Sequence, residues 1–139
     1  MRCLDEDSLR EESDRYLLPY RGRRVERILV DYALTLVLDG SIALTIECPA
    51  VLSHGPITAP DAVPHHVVPD RQQVDQALAL FGAEVLSSVA FKSGALRAVF
   101  SNGLHLNVAA SNEFEAWQAC GPGTLRVVSL PGGDLAVWR

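Results

Sequence analysis

Two short turn signals, each flanked by apolar residues at alternate positions, constrain this chain more than any other feature in it. Asp39-Gly40 lies between residues 33–38 and 41–47, and Ser101-Asn102-Gly103 lies between residues 95–100 and 104–108. A period of two places alternate side chains on one face of a strand, and a tight turn between two such runs makes an antiparallel hairpin. Face separation then selects the register, because a slip of one residue carries every apolar side chain to the wrong face. In the first hairpin a two-residue loop mixes the faces. A three-residue loop, Leu38-Asp39-Gly40, pairs Leu36 with Ile42 and Leu34 with Leu44. Leu34, Leu36, Ile42, Leu44 and Ile46 then share one face, and Thr35, Ala43, Thr45 and Glu47 share the other. Gly40 becomes the left-handed residue of a bulged turn. In the second hairpin the loop 101–103 pairs Phe100 with Leu104, Ala98 with Leu106 and Leu96 with Val108. Arg97, His105 and Asn107 face the other way, so His105 is expected opposite Val99, facing solvent, with no ligand role.

The hairpins belong to a longer internal echo. Val25, Ile28, Val30, Ala33-Leu34 and Gly40 are followed by Leu86, Val89, Phe91, Ala95-Leu96 and Gly103. Each copy reads as a three-stranded meander. A last hairpin, residues 125–130 and 135–138, turns at Pro131-Gly132-Gly133-Asp134, where Gly supplies a positive φ. Its second strand ends one residue before the end of the chain and is expected to be paired and buried.

Three segments read differently. Residues 8–18 suit a short helix with Leu9, Tyr16 and Leu17 on its apolar side, ended by Pro19. Residues 70–81 suit the main helix: Asp70 as N-cap, Val74, Ala77, Leu78 and Phe81 as a buried stripe, and Gly82 as the stop. Residues 111–119 suit a helical turn carrying Phe114 and Trp117. Between the two meanders, residues 48–69 hold five of the eight prolines and three of the four histidines. That proline density argues for a long loop rather than a helix or a central strand. The fold class expected is therefore α+β, with mainly antiparallel meanders and hairpins and one main helix packed on the sheet. Closure into a partial barrel is left open. Residues 1–21 read as an adaptable acidic arm and residues 22–139 as a single domain.

Composition excludes several function classes. At 139 residues the chain suits one domain with a core of its own. The net charge is −5, of which residues 1–15 carry −3 and the rest −2. A body this close to neutral offers no basic surface for nucleic acid. Arg21, Arg23, Arg24 and Arg27 form the one local exception and could meet an anion. No apolar run is long enough to span a membrane and no signal peptide opens the chain. Cys3, Cys48 and Cys120 are odd in number and widely spaced, which fits a reducing cytoplasm and inert thiols.

No nucleotide-binding glycine loop, nucleophile elbow or zinc-protease motif is present. The strongest chemical candidate is His65-His66, with His54, Asp61 and Asp70 near in sequence. Adjacent histidines can share a metal only if the backbone bends, because an extended segment points them to opposite sides. Glu113 and Glu115 beside Trp117 form a second candidate. Paired carboxylates can do acid–base work, and an aromatic anchor can hold a partner. On a helix, however, residues i and i+2 do not face each other.

Glu113-Phe114-Glu115-Ala116-Trp117, Gly121-Pro122-Gly123 and Leu130-Pro131-Gly132-Gly133-Asp134-Leu135-Ala136-Val137-Trp138 resemble an uncharacterised family of small actinobacterial proteins, a domain of unknown function. Val30-Asp31-Tyr32-Ala33-Leu34-Thr35-Leu36 and Asp39-Gly40 are similar to it as well. The resemblance runs over about residues 22–138. It implies a compact β-rich domain and carries no established activity or catalytic residue. The expectation is a non-enzymatic cytoplasmic domain that binds another protein, with no cofactor and no metal. An immunity-like protein that masks a toxin with an acidic surface is one form of it. The alternatives are a small metal-assisted or ligand-binding enzyme using His65 and His66, and a homodimer joined through strand edges or by arm exchange.

Overall fold

The computed structural model of the chain describes residues 8–139. Cys3 and the acids Asp5, Glu6 and Asp7 of the expected arm lie outside the described residues. Among the described residues, thirteen strands form two antiparallel sheets. They are β1 (Arg10–Glu11), β2 (Arg15–Leu17), β3 (Val25–Val30), β4 (Leu34–Leu38), β5 (Ile42–Ile46), β6 (Ala50–His54) and β7 (His65–Val67), then β8 (Val85–Phe91), β9 (Leu96–Phe100), β10 (Leu104–Val108), β11 (Trp117–Cys120), β12 (Arg126–Ser129) and β13 (Leu135–Trp138). One sheet runs β1-β2-β8-β9-β10-β6-β7 and the other β13-β12-β11-β5-β4-β3. The apolar alternation made them: Leu34, Leu36, Leu38, Ile42, Leu44 and Ile46 of one sheet and Leu96, Ala98, Phe100, Leu104, Leu106 and Val108 of the other are all buried in one core. The sheets do not close into a barrel.

The α+β expectation is therefore corrected to an almost wholly β architecture. No main helix covers residues 70–81. Two 3₁₀ turns, Pro69–Arg71 and Asp75–Leu80, stand there instead. Val74, Ala77 and Leu80 are buried while Leu78 and Phe81 are exposed. That spacing of three matches the three residues per turn of a 3₁₀ helix, and Gln72, left-handed at φ 56°, separates the two turns. The helix expected over residues 8–18 is the hairpin β1–β2, and the helical turn expected over residues 111–119 is a bend leading into β11. The loop expected over residues 48–69 contains β6, which lies between β10 and β7, and the edge strand β7. Pro49, Pro56, Pro64 and Pro69 flank these strands rather than interrupt them, so no ladder N–H is lost.

The first hairpin keeps its predicted faces but not its predicted pairing. Leu38 pairs with Ile42 and Leu36 with Leu44, around a loop of Asp39-Gly40-Ser41. Gly40 and Ser41 are both left-handed, at φ 82° and 65°. The second hairpin pairs as expected, with His105 opposite Val99. The last strand is paired, as expected, but forms a half-buried sheet edge rather than a buried strand.

The internal echo is a true structural repeat about a local two-fold axis between Arg24 and Glu84, which bridge the two sheets. Val25 N–H donates to Ala83 O at 2.9 Å, and Val85 N–H donates to Arg23 O at 2.7 Å. Gly22 N–H donates to Val85 O and Gly82 N–H to Val25 O, each at 2.8 Å. Arg24 N–H donates to Asp39 Oδ1, and Glu84 N–H donates to Ser101 Oγ. β3 and β8 carry the same bulge, between Val25 and Arg27 and between Val85 and Ser87. Each repeat then hands its fourth strand to the other: β6 follows β5 but pairs with β10, and β11 follows β10 but pairs with β5. The true correspondence sets Ile28 against Ser88 and Val30 against Ala90. The apolar echo in the sequence misses this by one residue, because β8 turns a serine inward at Ser88.

Candidate functional site

The bulge in β8 and the end of β2 together open a cleft. β2 pairs Leu17 with Val89, and Leu18 N–H donates to Ser88 O at 3.0 Å. Pro19 then has no N–H to offer and the chain turns away, leaving Leu86 and Ser87 of the bulge uncovered. The space there, of about 360 Å³, is lined by Arg10 and Arg21, by Ser8, Ser87 and Ser88, and by the apolar Leu17, Leu18, Leu86 and Val89. Arg10, Arg21, Leu86 and Ser87 are exposed, so the cleft is a surface groove. Among the described residues no carboxylate, histidine or cysteine lines it.

Two described carboxylates near in sequence, Glu11 and Asp14, are engaged elsewhere. Lys92 Nζ donates to Glu11 Oε2 at 2.6 Å, with Arg139 at 3.6 Å from the other oxygen. Lys92 thereby holds the Glu11 carboxyl below its ordinary value. Arg15 holds Asp14 in the same way, at 2.9 Å. Arg10 and Arg21 line the groove and form no ion pair with a described residue. What the groove can do chemically is receive an anion through charge-assisted hydrogen bonds.

The residues singled out from the sequence lie elsewhere. His65 and His66 are neighbours on β7, opposite Leu52 and Val51, and therefore point to opposite faces of the sheet. His54 ends β6 opposite Leu104 and is exposed. Among the described residues no group of three or more His, Cys, Asp or Glu is placed to hold a metal. His105 is half-buried, and burial first, then the charge of Arg97, lowers its pKa.

Trp117 is wholly buried, and its indole N–H donates to Gly94 O at 2.9 Å, so it offers no surface to a partner. Glu113 and Glu115 are exposed on the bend before β11, where Ser111 Oγ accepts from the N–H groups of Glu113 and Phe114. The exposed aromatic of this bend is Phe114. The acid that meets Glu115 is Glu47, whose pKa is raised by burial and then by Glu115. Cys48 is buried, which raises its thiol pKa.

Sequence reasoning grouped Arg21 with Arg23, Arg24 and Arg27, neighbours along the chain. It did not pair Arg21 with Arg10, because only the β1–β2 hairpin brings them to one groove. Pro19 and the second copy of the bulge were the available signals.

Residues 16–139 match a family of unknown function (DUF6188). No curated protein and no solved structure matches the chain.

Proposed function

The chain belongs to this family, and from that premise we propose that it is a non-enzymatic, cytoplasmic protein-interaction domain whose groove beside β1–β2 receives an acidic stretch of a partner protein. One observation carries the reading: two exposed arginines, Arg10 and Arg21, line a serine-bearing groove in which no described residue is a carboxylate. An open groove suits an extended segment better than a small molecule, which is usually taken into a largely enclosed pocket. Among the described residues along it there is no acid, base or nucleophile stronger than serine, which favours binding over catalysis. Free Cys48 and Cys120 support a reducing compartment. Among the described residues no helix is long and apolar enough to cross a membrane. An immunity-like protein with an acidic masking surface would take a basic partner; this groove favours an acidic one.

The test is fluorescence anisotropy of the full chain with a labelled hexaglutamate peptide and a hexalysine control at low salt. The expected result is saturable binding of hexaglutamate alone, weakened by added salt. An Arg10→Ala/Arg21→Ala variant should bind at least about tenfold more weakly, since a charge-assisted hydrogen bond contributes about 1.5–3 kcal/mol. Equal binding by that variant, or no saturable binding by the parent, rejects the groove.

A further inference from the structure

The two-fold repeat reveals a strand edge that the described residues cover in one copy and not in the other. On β8, the edge away from β9 is taken by β2. Tyr16 pairs with Ala90 and Leu17 with Val89, and Leu18 bonds Ser88. Under that cover Ala90 is 0% exposed and Val89 5%. The equivalents on β3 are Val30 and Leu29, and they are 43% and 44% exposed. β3 ends the six-stranded sheet, and among the described residues no strand pairs with the far edge of Ile28, Leu29 and Val30. Tyr32, in the turn beyond, is 79% exposed. Natural edges are blunted by charge, proline or a bulge. β3 has its bulge and its charges, Glu26 and Arg27, at the beginning, and none of these devices over Ile28-Leu29-Val30.

We infer that this edge is an interface between two copies of the chain, β3 against β3 in antiparallel fashion, with a two-fold axis at Leu29. The repeat dictates which backbone groups point outward. Ser88 and Ala90 are the positions that β2 engages, so Ile28 and Val30 present their N–H and C=O groups on the open edge. A register centred on Leu29 satisfies this and sets Ile28 against the partner's Val30 and Leu29 against the partner's Leu29. It also sets Arg27 against the partner's Asp31. Asp31 spends Oδ1 on the N–H of Ala33 at 2.7 Å and keeps its other oxygen for a guanidinium. Moving the axis to Ile28 sets Arg27 against Leu29 and Glu26 against Val30. Moving it to Val30 sets Asp31 against Leu29. Only the Leu29-centred register joins apolar to apolar and opposite charge to opposite charge. The six-stranded sheets of two copies then become one continuous sheet, with Val30 covered as Ala90 is.

This surface is separate from the arginine-lined groove. The test is sedimentation of the full chain over a concentration series, together with cysteine cross-linking. The parent should pass from monomer to dimer as concentration rises, and Leu29→Lys should stay monomeric throughout with an unchanged circular dichroism spectrum. A two-fold at Leu29 makes a non-hydrogen-bonded pair whose Cα atoms lie about 4.5 Å apart, within disulfide reach. Leu29→Cys should therefore oxidise to a covalent dimer. Leu86→Cys, equally exposed on the bulge of β8, and the parent with its own cysteines should not. A parent that is monomeric at every concentration overturns the inference. So does a dimer that Leu29→Lys leaves intact, or cross-linking of Leu29→Cys no faster than of Leu86→Cys. The Arg10→Ala/Arg21→Ala variant should dimerise like the parent, so loss of peptide binding and loss of dimerisation are read separately.

Discussion

The indole N–H of Trp117 and the hydroxyl of Ser129 donate to the same carbonyl oxygen, that of Gly94, at 2.9 Å and 2.8 Å. Trp117 and Ser129 stand on β11 and β12 of one sheet, and Gly94 turns between β8 and β9 of the other. The oxygen is a buried polar tie between the two sheets. Ser129→Ala removes one donor and should cost about 1 kcal/mol, the net value of a hydrogen bond. Trp117→Phe removes the other and leaves a gap, for about 2–3 kcal/mol. Either change alone leaves the carbonyl one donor. The double variant leaves it none in a buried site, so its loss should exceed the sum of the two by about 1 kcal/mol or more. Urea unfolding of the four proteins measures this, and simple additivity would show that the carbonyl finds another donor.

Gly94 also meets Gly133 of the β12–β13 turn at backbone distance. A Cβ on Gly133 would lie 2.5 Å from Ser93 O, and the residue sits at φ 101°. Gly133→Ala therefore combines a backbone clash with a conformation closed to L side chains, and should cost more than about 3 kcal/mol. Gly123, at φ 64° with nothing within 4 Å of its Cβ position, isolates the conformational part. Gly123→Ala should cost about 1–2 kcal/mol. Equal thermal shifts for the two would mean that the turns can move apart freely.

Much of this fold was legible in alternation. The faces of β4, β5, β9 and β10 follow from period-two patterning, because a half-buried sheet enforces it. Register in the first hairpin was less legible, since moving the loop by one residue shifts the pairing by two and keeps the same faces. The deciding residue, Ser41, adopts a left-handed φ that its type does not advertise. The segment around Val74, Ala77 and Leu80 was misread because apolar residues at 74, 77, 78, 80 and 81 fit both a helical stripe and a 3₁₀ repeat. The swapped fourth strands were invisible, since β6 and β11 are placed by long-range packing and not by local pattern. The groove was invisible for the same reason: Arg10 and Arg21 become neighbours only when β2 docks on β8. Trp117 illustrates the converse, an aromatic that sequence alone could set either in a patch or in the core.

Tyr20 is completely buried, and its hydroxyl has no hydrogen-bond partner among the described residues. Burial, with a smaller contribution from Cys120, pushes its pKa upward. A buried hydroxyl without a partner is a desolvation cost with no return. Tyr20→Phe keeps the ring in the core and removes that cost, so the variant should be as stable as the parent or more stable by about 1 kcal/mol. Tyr20→Ala should lose about 3–5 kcal/mol for the ring it removes. Destabilisation by Tyr20→Phe would show that the hydroxyl is satisfied in solution.

Glu47 connects the end of β5 to pH. Partial burial chiefly, and the neighbouring Glu115 next, raise its carboxyl above the ordinary 4.5, against a hydrogen bond from Gln118. The folded chain therefore holds this proton more tightly than the unfolded chain does. Ionised Glu47 is a burden at neutral pH that lightens as pH falls through the raised folded value, and nothing further is gained once the unfolded carboxyl is also protonated, below 4.5. Glu47→Gln keeps an acceptor for Gln118 and removes the charge. It should stabilise the chain at pH 7 by less than about 1 kcal/mol, because the carboxylate is largely exposed and screened. The advantage should shrink toward pH 4.5. Glu115→Gln should act in the same direction and more weakly, since burial of Glu47 outweighs the repulsion between the two acids. The check is the difference in urea midpoint between variant and parent at pH 7 and at pH 4.5. A difference that stays constant with pH would place the effect outside the ionisation of Glu47.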